Sequence, residues 1–215
     1  MEKIYTLNNL KKISQKINLL SENNLIFFGD SITADSCGFV NIIKQLFFEI
    51  SHLNKIKIIN AGVSGDTTVH ALKRIENDVI SKNPNKVFLM LGVNDSCIRF
   101  SEQVQLVSLK YYCQNLTIIC NLIKKETNAK IILMTPTIVI GSLVKHFVWE
   151  KIIDEYAQTV KEIAKKEKLE MIDIFASFEK YKNKSKLFIE DGVHPNILGH
   201  RVIAYEILSF LSKNR

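Results

Sequence analysis

Short apolar runs alternate with longer segments of helical periodicity along most of the chain, and this alternation limits the folds open to it. The runs are three to five residues long, most of them end at Gly, Asn or a Thr-Pro pair, and they occupy 25–28, 57–59, 87–91, 131–134 and 171–175. Strands that are covered by helices on both faces of a parallel sheet are apolar throughout rather than alternating. The runs therefore predict the strands of a buried parallel sheet.

The segments between these runs carry apolar residues at three- and four-residue spacing, which is typical of amphipathic helices. Predicted helices or helical faces lie at 40–50, 72–80, 106–123, 149–166 and 197–211. The sequence Asp66-Thr67-Thr68 offers an N-cap for the second of them. Repeated alternation of strand and helix predicts a three-layer, doubly wound α/β fold around a five-stranded parallel sheet.

The domain organisation follows from length and from the absence of breaks in this pattern. A chain of 215 residues suits one domain, and no linker or low-complexity tract interrupts it, so we expect a single domain over 1–215. Within it, 1–23 is interpreted as an N-terminal helical extension, which we expect to pack on the rest of the domain because its polar face is not strongly basic. Its apolar stripe consists of Leu7, Leu10, Ile13, Ile17 and Leu20.

Charge and hydropathy exclude several classes of partner. The formal net charge is +7, but the lysines are spread through most segments instead of forming one stripe. No zinc-finger spacing or RNA-binding aromatic motif is present, so we do not expect nucleic-acid binding. No apolar run approaches the ~20 residues of a membrane-spanning helix, so we expect no membrane insertion. The oligomeric state is left open.

Cysteine usage and the start of the chain favour a cytoplasmic protein. The four cysteines form no CxxC pair and no zinc spacing, which predicts reduced, packed thiols. Residues 1–24 mix lysines with apolar residues and lack the continuous apolar stretch and cleavage site of a signal peptide.

The candidate functional residues follow the predicted strands. In open α/β sheets, ligands bind beyond the carboxyl ends of the strands. Residues 29–33, 60–68 and 92–95 follow the first three predicted strands, and 191–195 form the last loop before the final helix. Each of these segments supplies a group that acyl transfer needs.

Ser31, His194 and Asp191 are the candidate catalytic residues. A serine hydroxyl is a weak nucleophile until a neighbouring base takes its proton, and histidine titrates in the right range to be that base. Asp191 lies three residues before His194, so one turn of chain would bring its carboxylate to the second ring nitrogen. That contact would fix the tautomer and stabilise the imidazolium.

Three donors are candidates for an oxyanion hole, which must stabilise the charge of a tetrahedral intermediate. Gly65 can present a backbone N–H with no side chain in the way. Asn94 can add a side-chain N–H, and the backbone N–H of Ser31 is the third.

These segments, taken together, resemble the sequence blocks of the SGNH (GDSL-type) hydrolase family over about residues 25–200. Gly29-Asp30-Ser31-Ile32 resembles the GDSL block, with Ile32 in place of leucine. The resemblance implies Ser31 as nucleophile, Gly65 and Asn94 in the oxyanion hole, and Asp191 and His194 in a DxxH block. It further implies a flavodoxin-like fold and ester hydrolysis without a metal or cofactor.

Other interpretations of these residues stay open at this point. Ser31 could also serve as a helix cap. Ser64 is a rival nucleophile, but Asp66 occupies the position of the last glycine in a G-x-S-x-G elbow, so we assign Ser64 to a turn. Asp30 is a candidate for a second catalytic acid, although we expect its side chain to brace the turn around Ser31, and we expect Asp95 to tie down its own loop. Residues 141–148 follow the fourth strand on the catalytic side, so Phe147 and Trp149 are candidates for lining the substrate pocket.

The sequence therefore predicts a serine esterase that takes a small-molecule ester, either an acyl lipid or an acetylated sugar. Three alternatives share much of this argument. A carbohydrate O-acetylesterase would differ only in its pocket, an acyltransferase would favour an alcohol over water, and a binding module would keep the fold without turnover.

Overall fold

The structure is a computed structural model that describes residues 4–19, 23–98, 106–141 and 152–213. The strands in these ranges are β1 (Asn24–Gly29), β2 (Lys57–Gly62), β3 (Lys86–Met90), β4 (Lys130–Met134) and β5 (Glu170–Ile172). The helices are α1 (Leu7–Ser14), α2 (Ser31–Ala34), α3 (Phe39–Phe48), α4 (Thr68–Asp78), α5 (Leu109–Glu126), α6 (Ile153–Lys166), α7 (Ile174–Glu179) and α8 (Ile197–Lys213).

The strands of the described residues form one parallel sheet in the order β2-β1-β3-β4-β5. Gly29 at the end of β1 pairs with Gly62 of β2 on one side and with Met90 of β3 on the other. Because the chain leaves β1 toward one edge and later returns to its opposite side, a switch point lies at the carboxyl ends of β1 and β3. The predicted five-stranded, flavodoxin-like sheet is confirmed.

Helices cover both faces of the sheet. One set consists of α3 and α8, which contact each other, with α1 beside both, and the second set consists of α4, α5 and α6 in sequence. The connection from β1 to β2 moves toward one edge of the sheet, and the connection from β2 to β3 moves back toward the other edge. Because both crossovers are right-handed, their helices, α3 and α4, lie on opposite faces of the sheet. Residues 25–28 of β1 are at most 1% exposed, as expected for a strand covered on both sides.

The fifth strand is shorter than the sequence predicted. The apolar run 171–175 suggested a strand throughout, but β5 ends at Ile172 and α7 begins at Ile174. Asp173 caps the new helix by accepting the N–H of Ala176, and the Thr135 hydroxyl accepts the N–H of Phe175. These local hydrogen bonds turn an apolar segment into a helix, which periodicity alone does not distinguish from a short strand.

Two predicted helices also have different ends. α4 stops at Asp78, and Ile80 lies in a separate 3₁₀ turn instead of continuing the helical face. α5 begins at Leu109 rather than Leu106, with Ser108 at the N-cap position in an extended conformation (ψ 152°). Hydrophobic spacing therefore located both helices but not their ends.

The N-terminal helix packs on the rest of the molecule. α1 contacts α3 and α8, with Leu10 and, just beyond the helix, Ile17 buried in the common core. Of the segment predicted as helical, Leu7–Ser14 forms the α-helix in the described residues. Among those residues, no helix has both the length and the apolar character that crossing a bilayer requires.

Candidate active site

The carboxyl ends of β2, β1 and β3 meet at one edge of the sheet, and Ser31 lies there at the first position of α2. Asp30, not Ser31, is the N-cap: its carboxylate accepts the N–H of Ile32 at 3.0 Å. The capping role that was open for Ser31 therefore belongs to its neighbour. The Ser31 side chain is left partly exposed and available for chemistry.

Two glycines allow α2 to lie close to the strand ends. A Cβ at Gly29 would come within 2.3 Å of the Thr33 hydroxyl, and one at Gly62 within 2.3 Å of the Ala34 nitrogen. Asn60 of β2 adds a hydrogen bond from its side-chain amide to the Thr33 carbonyl at 2.8 Å. The short helix that begins with Ser31 is thus fixed against both strands.

Ser31, His194 and Asp191 form one chain of hydrogen bonds. Ser31 Oγ lies 2.9 Å from His194 Nε2, and His194 Nδ1 lies 2.6 Å from Asp191 Oδ2. The second carboxylate oxygen, Asp191 Oδ1, accepts the backbone N–H of Val193 at 2.8 Å and of His194 at 2.9 Å. Residues that are 163 positions apart in the sequence are thereby in contact.

This geometry sets the proton positions. Partial burial raises the pKa of Asp191, but the hydrogen bonds from His194 and Val193 outweigh that effect and hold the pKa below its usual value. An ionised carboxylate only accepts, so Nδ1 carries the ring proton and Nε2 is the free acceptor. The Ser31 hydroxyl then donates to Nε2, as a serine facing its base should.

The loop that carries Asp191 and His194 is anchored on both sides. The N–H of Ile140, in the segment after β4, donates to the Gly192 carbonyl at 2.8 Å. Asn196 donates from its side-chain amide to the Lys186 and Phe188 carbonyls. Hydrogen bonds therefore fix both ends of this loop. The side chains of His194 and Asp191 are 42% and 41% exposed, so a substrate can reach them.

Gly65 and Asn94, the other candidate oxyanion-hole residues, lie in adjoining loops. Asn94 donates one side-chain N–H to the Asp66 carbonyl at 3.0 Å, which leaves its second amide hydrogen for a ligand. Gly65 has φ +79°, and a Cβ built there meets nothing within 4 Å, so open space lies in front of it. Among the described residues, the backbone N–H groups of Ser31 and Gly65 have no protein acceptor.

Two buried carboxyl groups lie beneath this edge. Burial raises the pKa of Asp30 to about 7, the hydrogen bond from Ile32 opposes that rise, and the Asp95 carboxylate adds to it. Burial likewise raises the pKa of Asp95 to about 6, against hydrogen bonds from Thr68. Asp30 braces its own turn as predicted. Asp95 accepts a hydrogen bond within its own loop, as predicted, and it also accepts the N–H and hydroxyl of Thr68 and so holds the start of α4.

His200 and Arg74 support the site, although neither lies in the sequence segments that were predicted to form it. His200 accepts the N–H of Phe39 at Nδ1 and contacts Asp35 at 3.1 Å, linking α8 to the end of α2. Burial lowers its pKa, an effect that Asp35 only partly offsets, so the ring is held neutral. Arg74 donates to the Gly29 and Ala61 carbonyls at the ends of β1 and β2 and to two carboxylates outside the strands. Sequence reasoning missed it, since one arginine in an amphipathic helix normally faces solvent.

Two further predictions concern ligands. Phe147 and Trp149, the candidate pocket residues, lie outside the described residues, as does the start of the helix predicted at 149–166. Among the described residues, no group of three His, Cys, Asp or Glu side chains has a geometry that would hold a metal ion.

The sheet order and the Ser–His–Asp chain at its carboxyl edge define an α/β protein of the serine hydrolase class. Residues 27–202 match the GDSL-like Lipase/Acylhydrolase family. The chain belongs to this family, which confirms the resemblance seen in the sequence, and it is a carboxylic ester hydrolase.

Its relatives include esterases of known name. An acetylxylan esterase of Geobacillus stearothermophilus is 27% identical over 206 residues, 87% of this chain and 93% of that protein. Its solved structure superimposes with a TM-score of 0.74 over 90% of this chain and 96% of that one. An isoamyl acetate-hydrolyzing esterase 1 homolog of Rattus norvegicus is 25% identical over 213 residues, 88% of this chain and 81% of that protein.

A lipase/acylhydrolase of Enterococcus faecalis supports the fold alone, with a TM-score of 0.78 at 24% identity over 89% of this chain and 96% of that one. Further solved structures of the Geobacillus esterase are described as catalytic mutants, in which a serine, an aspartate and a histidine are each replaced by alanine.

Proposed function

We propose that the protein cleaves esters through an acyl-serine intermediate formed on Ser31. His194 Nε2 takes the hydroxyl proton while Ser31 Oγ attacks the ester carbonyl, and the tetrahedral intermediate then breaks its bond to the alcohol oxygen. The imidazolium returns its proton to that oxygen, and the alcohol leaves. Asp191 holds the ring in position and stabilises its positive charge.

Water completes the cycle by the same groups. His194 takes a proton from a water molecule, the resulting hydroxide attacks the acyl carbonyl, and collapse of the second tetrahedral intermediate releases the carboxylic acid and restores Ser31. The oxyanion of both intermediates is assigned to the N–H groups of Ser31, Gly65 and Asn94. Loss of one such donor costs about 3 to 4 kcal/mol of transition-state stabilisation.

One observation carries this proposal: the unbroken hydrogen-bonded chain from Ser31 through His194 to Asp191, at 2.9 and 2.6 Å. Two features of the same edge support it. Open space lies in front of Gly65, and the backbone N–H groups of Ser31 and Gly65 have no acceptor among the described residues. The proposal assigns every proton transfer to a named side chain and needs no metal or cofactor.

For the substrate, we propose a short acyl ester, with acetate as the acyl group. Two relatives that match most of this chain are named for acetate esters, an acetylxylan esterase and a homolog of an isoamyl acetate-hydrolyzing esterase, so an acetyl group is common to both names. The acetylxylan esterase is the more similar of these two, at 27% identity against 25%, so a carbohydrate O-acetylesterase is the favoured form of the proposal. Transfer of the acyl group to an added alcohol is the second form that the same site supports.

The deciding experiment compares wild type with Ser31→Ala on p-nitrophenyl esters from acetate to palmitate. We expect Ser31→Ala to lose at least about 10⁴-fold in kcat, because no other group supplies the nucleophile. The substrate series should show highest kcat/KM at acetate. Ser64→Ala is the matched control, since Ser64 is an exposed serine in the neighbouring loop, and it should keep wild-type kcat.

Equal activity in Ser31→Ala and wild type would end the assignment of the nucleophile. A loss in Ser64→Ala with activity retained in Ser31→Ala would transfer that role to Ser64. Preference for palmitate over acetate would contradict the short-acyl proposal while leaving the mechanism intact. Product analysis with added alcohols would separate hydrolysis from acyl transfer.

A cytoplasmic location stays a proposal. Its support is cysteine usage: in the described residues no disulfide joins Cys37, Cys97, Cys113 or Cys120, as expected in a reducing compartment. Cell fractionation with an activity assay would test it, and activity in the culture medium would contradict it.

A further inference from the structure

Arg74 on α4 joins parts of the chain that lie far apart in sequence. Its Nε donates to Asp66 Oδ2 at 2.5 Å, its Nη1 to the Ala61 carbonyl at 2.8 Å, and its Nη2 to the Gly29 carbonyl at 2.9 Å. The guanidinium also lies 4.3 Å from the centre of the Phe28 ring. One side chain thus bonds the ends of β1 and β2 and the loop that follows β2.

The partners of Arg74 stand next to the proposed oxyanion donors. The Gly29 carbonyl is two residues before Ser31. Asp66 directly follows Gly65, and its own carbonyl accepts the side-chain N–H of Asn94 at 3.0 Å. Each proposed donor is therefore linked to this ion pair. Ser31 lies two residues after the Gly29 carbonyl that Arg74 binds, Gly65 precedes Asp66, and Asn94 donates to the Asp66 carbonyl.

We propose that the partly buried Arg74–Asp66 ion pair is the positioning unit of the oxyanion hole. Its role rests on the proposed function, and neither side chain touches the substrate. Arg74 holds the Asp66 carboxylate, Asp66 fixes the Gly65 N–H and the Asn94 amide, and the bond to Gly29 ties these donors to the turn that carries Ser31.

The chemistry of arginine suits this task. Its planar fork donates in several fixed directions at once, whereas a lysine ammonium is a single point charge that cannot span two carbonyls and a carboxylate. The pair is also shielded, with side-chain exposures of 15% for Arg74 and 9% for Asp66, so water does not screen it as it would at the surface.

A positioning role makes a specific kinetic prediction. Oxyanion donors act only when negative charge develops, so a shift of a few tenths of an ångström should lower kcat and leave KM nearly unchanged. A role in substrate binding would instead raise KM. A purely structural role would lower the thermal midpoint without selectivity between the two constants.

The molecule provides a matched control, because Arg74 also bonds a second carboxylate. Nη1 donates to Asp78 Oδ2 at 2.8 Å, and Asp78 lies at the end of α4, away from the donors. Asp66→Ala and Asp78→Ala each remove one carboxylate from the same guanidinium. On p-nitrophenyl acetate we expect Asp66→Ala to lose at least about tenfold in kcat with KM within twofold, and Asp78→Ala to stay within twofold of wild type in both.

Two further variants strengthen the test. Arg74→Lys keeps the charge but loses the fork, so it should fold and show the same selective loss of kcat, and it decides the question alone if Asp66→Ala does not fold. In an Asn94→Ala background, Asp66→Ala should cost much less than in wild type, because part of the group it positions is gone. Asp78→Ala should have the same small effect in both backgrounds.

Equal losses in Asp66→Ala and Asp78→Ala, or wild-type kcat in Arg74→Lys, would overturn the proposal. Full additivity of Asp66→Ala with Asn94→Ala would also overturn it. Ser31→Ala distinguishes these outcomes from failure of the proposed function. If Ser31→Ala remains active, the assignment of Ser31 as nucleophile is wrong. If Ser31→Ala is inactive and Arg74→Lys has wild-type kcat, only the positioning role of the Arg74–Asp66 pair is rejected.

Discussion

At the residue scale, the site contains carboxyl groups with opposite electrostatic environments. Asp191 is partly exposed and accepts hydrogen bonds, and its pKa is lowered, so it is ionised and suited to stabilise an imidazolium. Asp30 is fully buried and has a pKa raised to about 7. Burial opposes the charged form and hydrogen-bond donors favour it, so the surroundings decide which aspartate carries charge.

The raised pKa of Asp30 predicts a pH effect on stability. Its pKa of about 7 in the folded protein lies above the ordinary aspartate value of 3.8, so between these two pH values the unfolded chain gives up the proton and the folded chain keeps it. The contribution of Asp30 is therefore fully present below pH 3.8 and is lost as the pH rises through about 7. In Asp30→Asn, which can still cap Ile32, this loss should be absent.

Urea unfolding of wild type and Asp30→Asn from pH 4 to 8 measures the effect. We expect the unfolding free energy of Asp30→Asn to rise relative to that of wild type as the pH increases, by at most about 4 kcal/mol. Asp95, Asp191 and His200 titrate in both proteins, so the difference between the two curves reports Asp30 together with its interaction with Asp95. Parallel curves over the whole range would show that Asp30 is not protonated in the folded protein at mildly acidic pH.

At the element scale, the position of α2 depends on close approach between backbones. The helix has only the residues Ser31–Ala34, so its own hydrogen bonds do little to hold it. Contact with the ends of β1 and β2 fixes it instead, through the space left by Gly29 and Gly62. The orientation of the nucleophile is thus a property of the strand ends.

Gly62→Ala should test this dependence. The added Cβ would lie 2.3 Å from the Ala34 nitrogen and 2.7 Å from the Thr33 carbonyl carbon, both backbone atoms, so α2 must move. We expect a loss of about 1–3 kcal/mol in unfolding free energy, typical of overpacking, and more than tenfold in kcat. Chemical denaturation and ester hydrolysis measure the two effects. Unchanged kcat would show that α2 tolerates the displacement.

The element scale also shows where sequence reasoning succeeds and where it fails. Apolar runs and helical periodicity gave the correct type for the main strands and for those predicted helices that lie within the described residues. They failed at 171–175, because the hydrogen bonds of Asp173 and Thr135 that start α7 leave no trace in periodicity. Periodicity records which faces are buried, whereas side-chain caps decide where an element ends.

At the scale of the whole molecule, α1 is part of the core that surrounds α3 and α8, although it precedes the residues matched by the family. Leu10 of α1 is 0% exposed, and Tyr5 before the helix packs edge-on against Tyr205 of α8 with ring centres 5.3 Å apart. The segment therefore contributes to the stability of the helix layer that carries the end of the catalytic loop. That 1–215 forms a single domain stays a prediction.

Leu10→Ala measures this contribution. Removing a fully buried leucine costs about 2–5 kcal/mol, so the unfolding free energy should fall by that amount while kcat at a permissive temperature stays within twofold. Leu7→Ala in the same helix is the control, because Leu7 is 48% exposed and its loss should cost less than about 0.5 kcal/mol. Equal small effects in both variants would mean that α1 is not cooperatively folded with the core.

Local pattern was enough to give the order of the main strands and helices and the chemical types of the site residues, because apolar runs, periodicity and polar residues after each strand are all local features. Which of these residues meet depends on how the elements pack. The contact of Ser31 with His194, the hydrogen bond of the Asn94 amide to Asp66, and the contacts of Arg74 with the ends of β1 and β2 all join distant parts of the chain. Such contacts depend on how elements pack in three dimensions, and no local pattern encodes that packing.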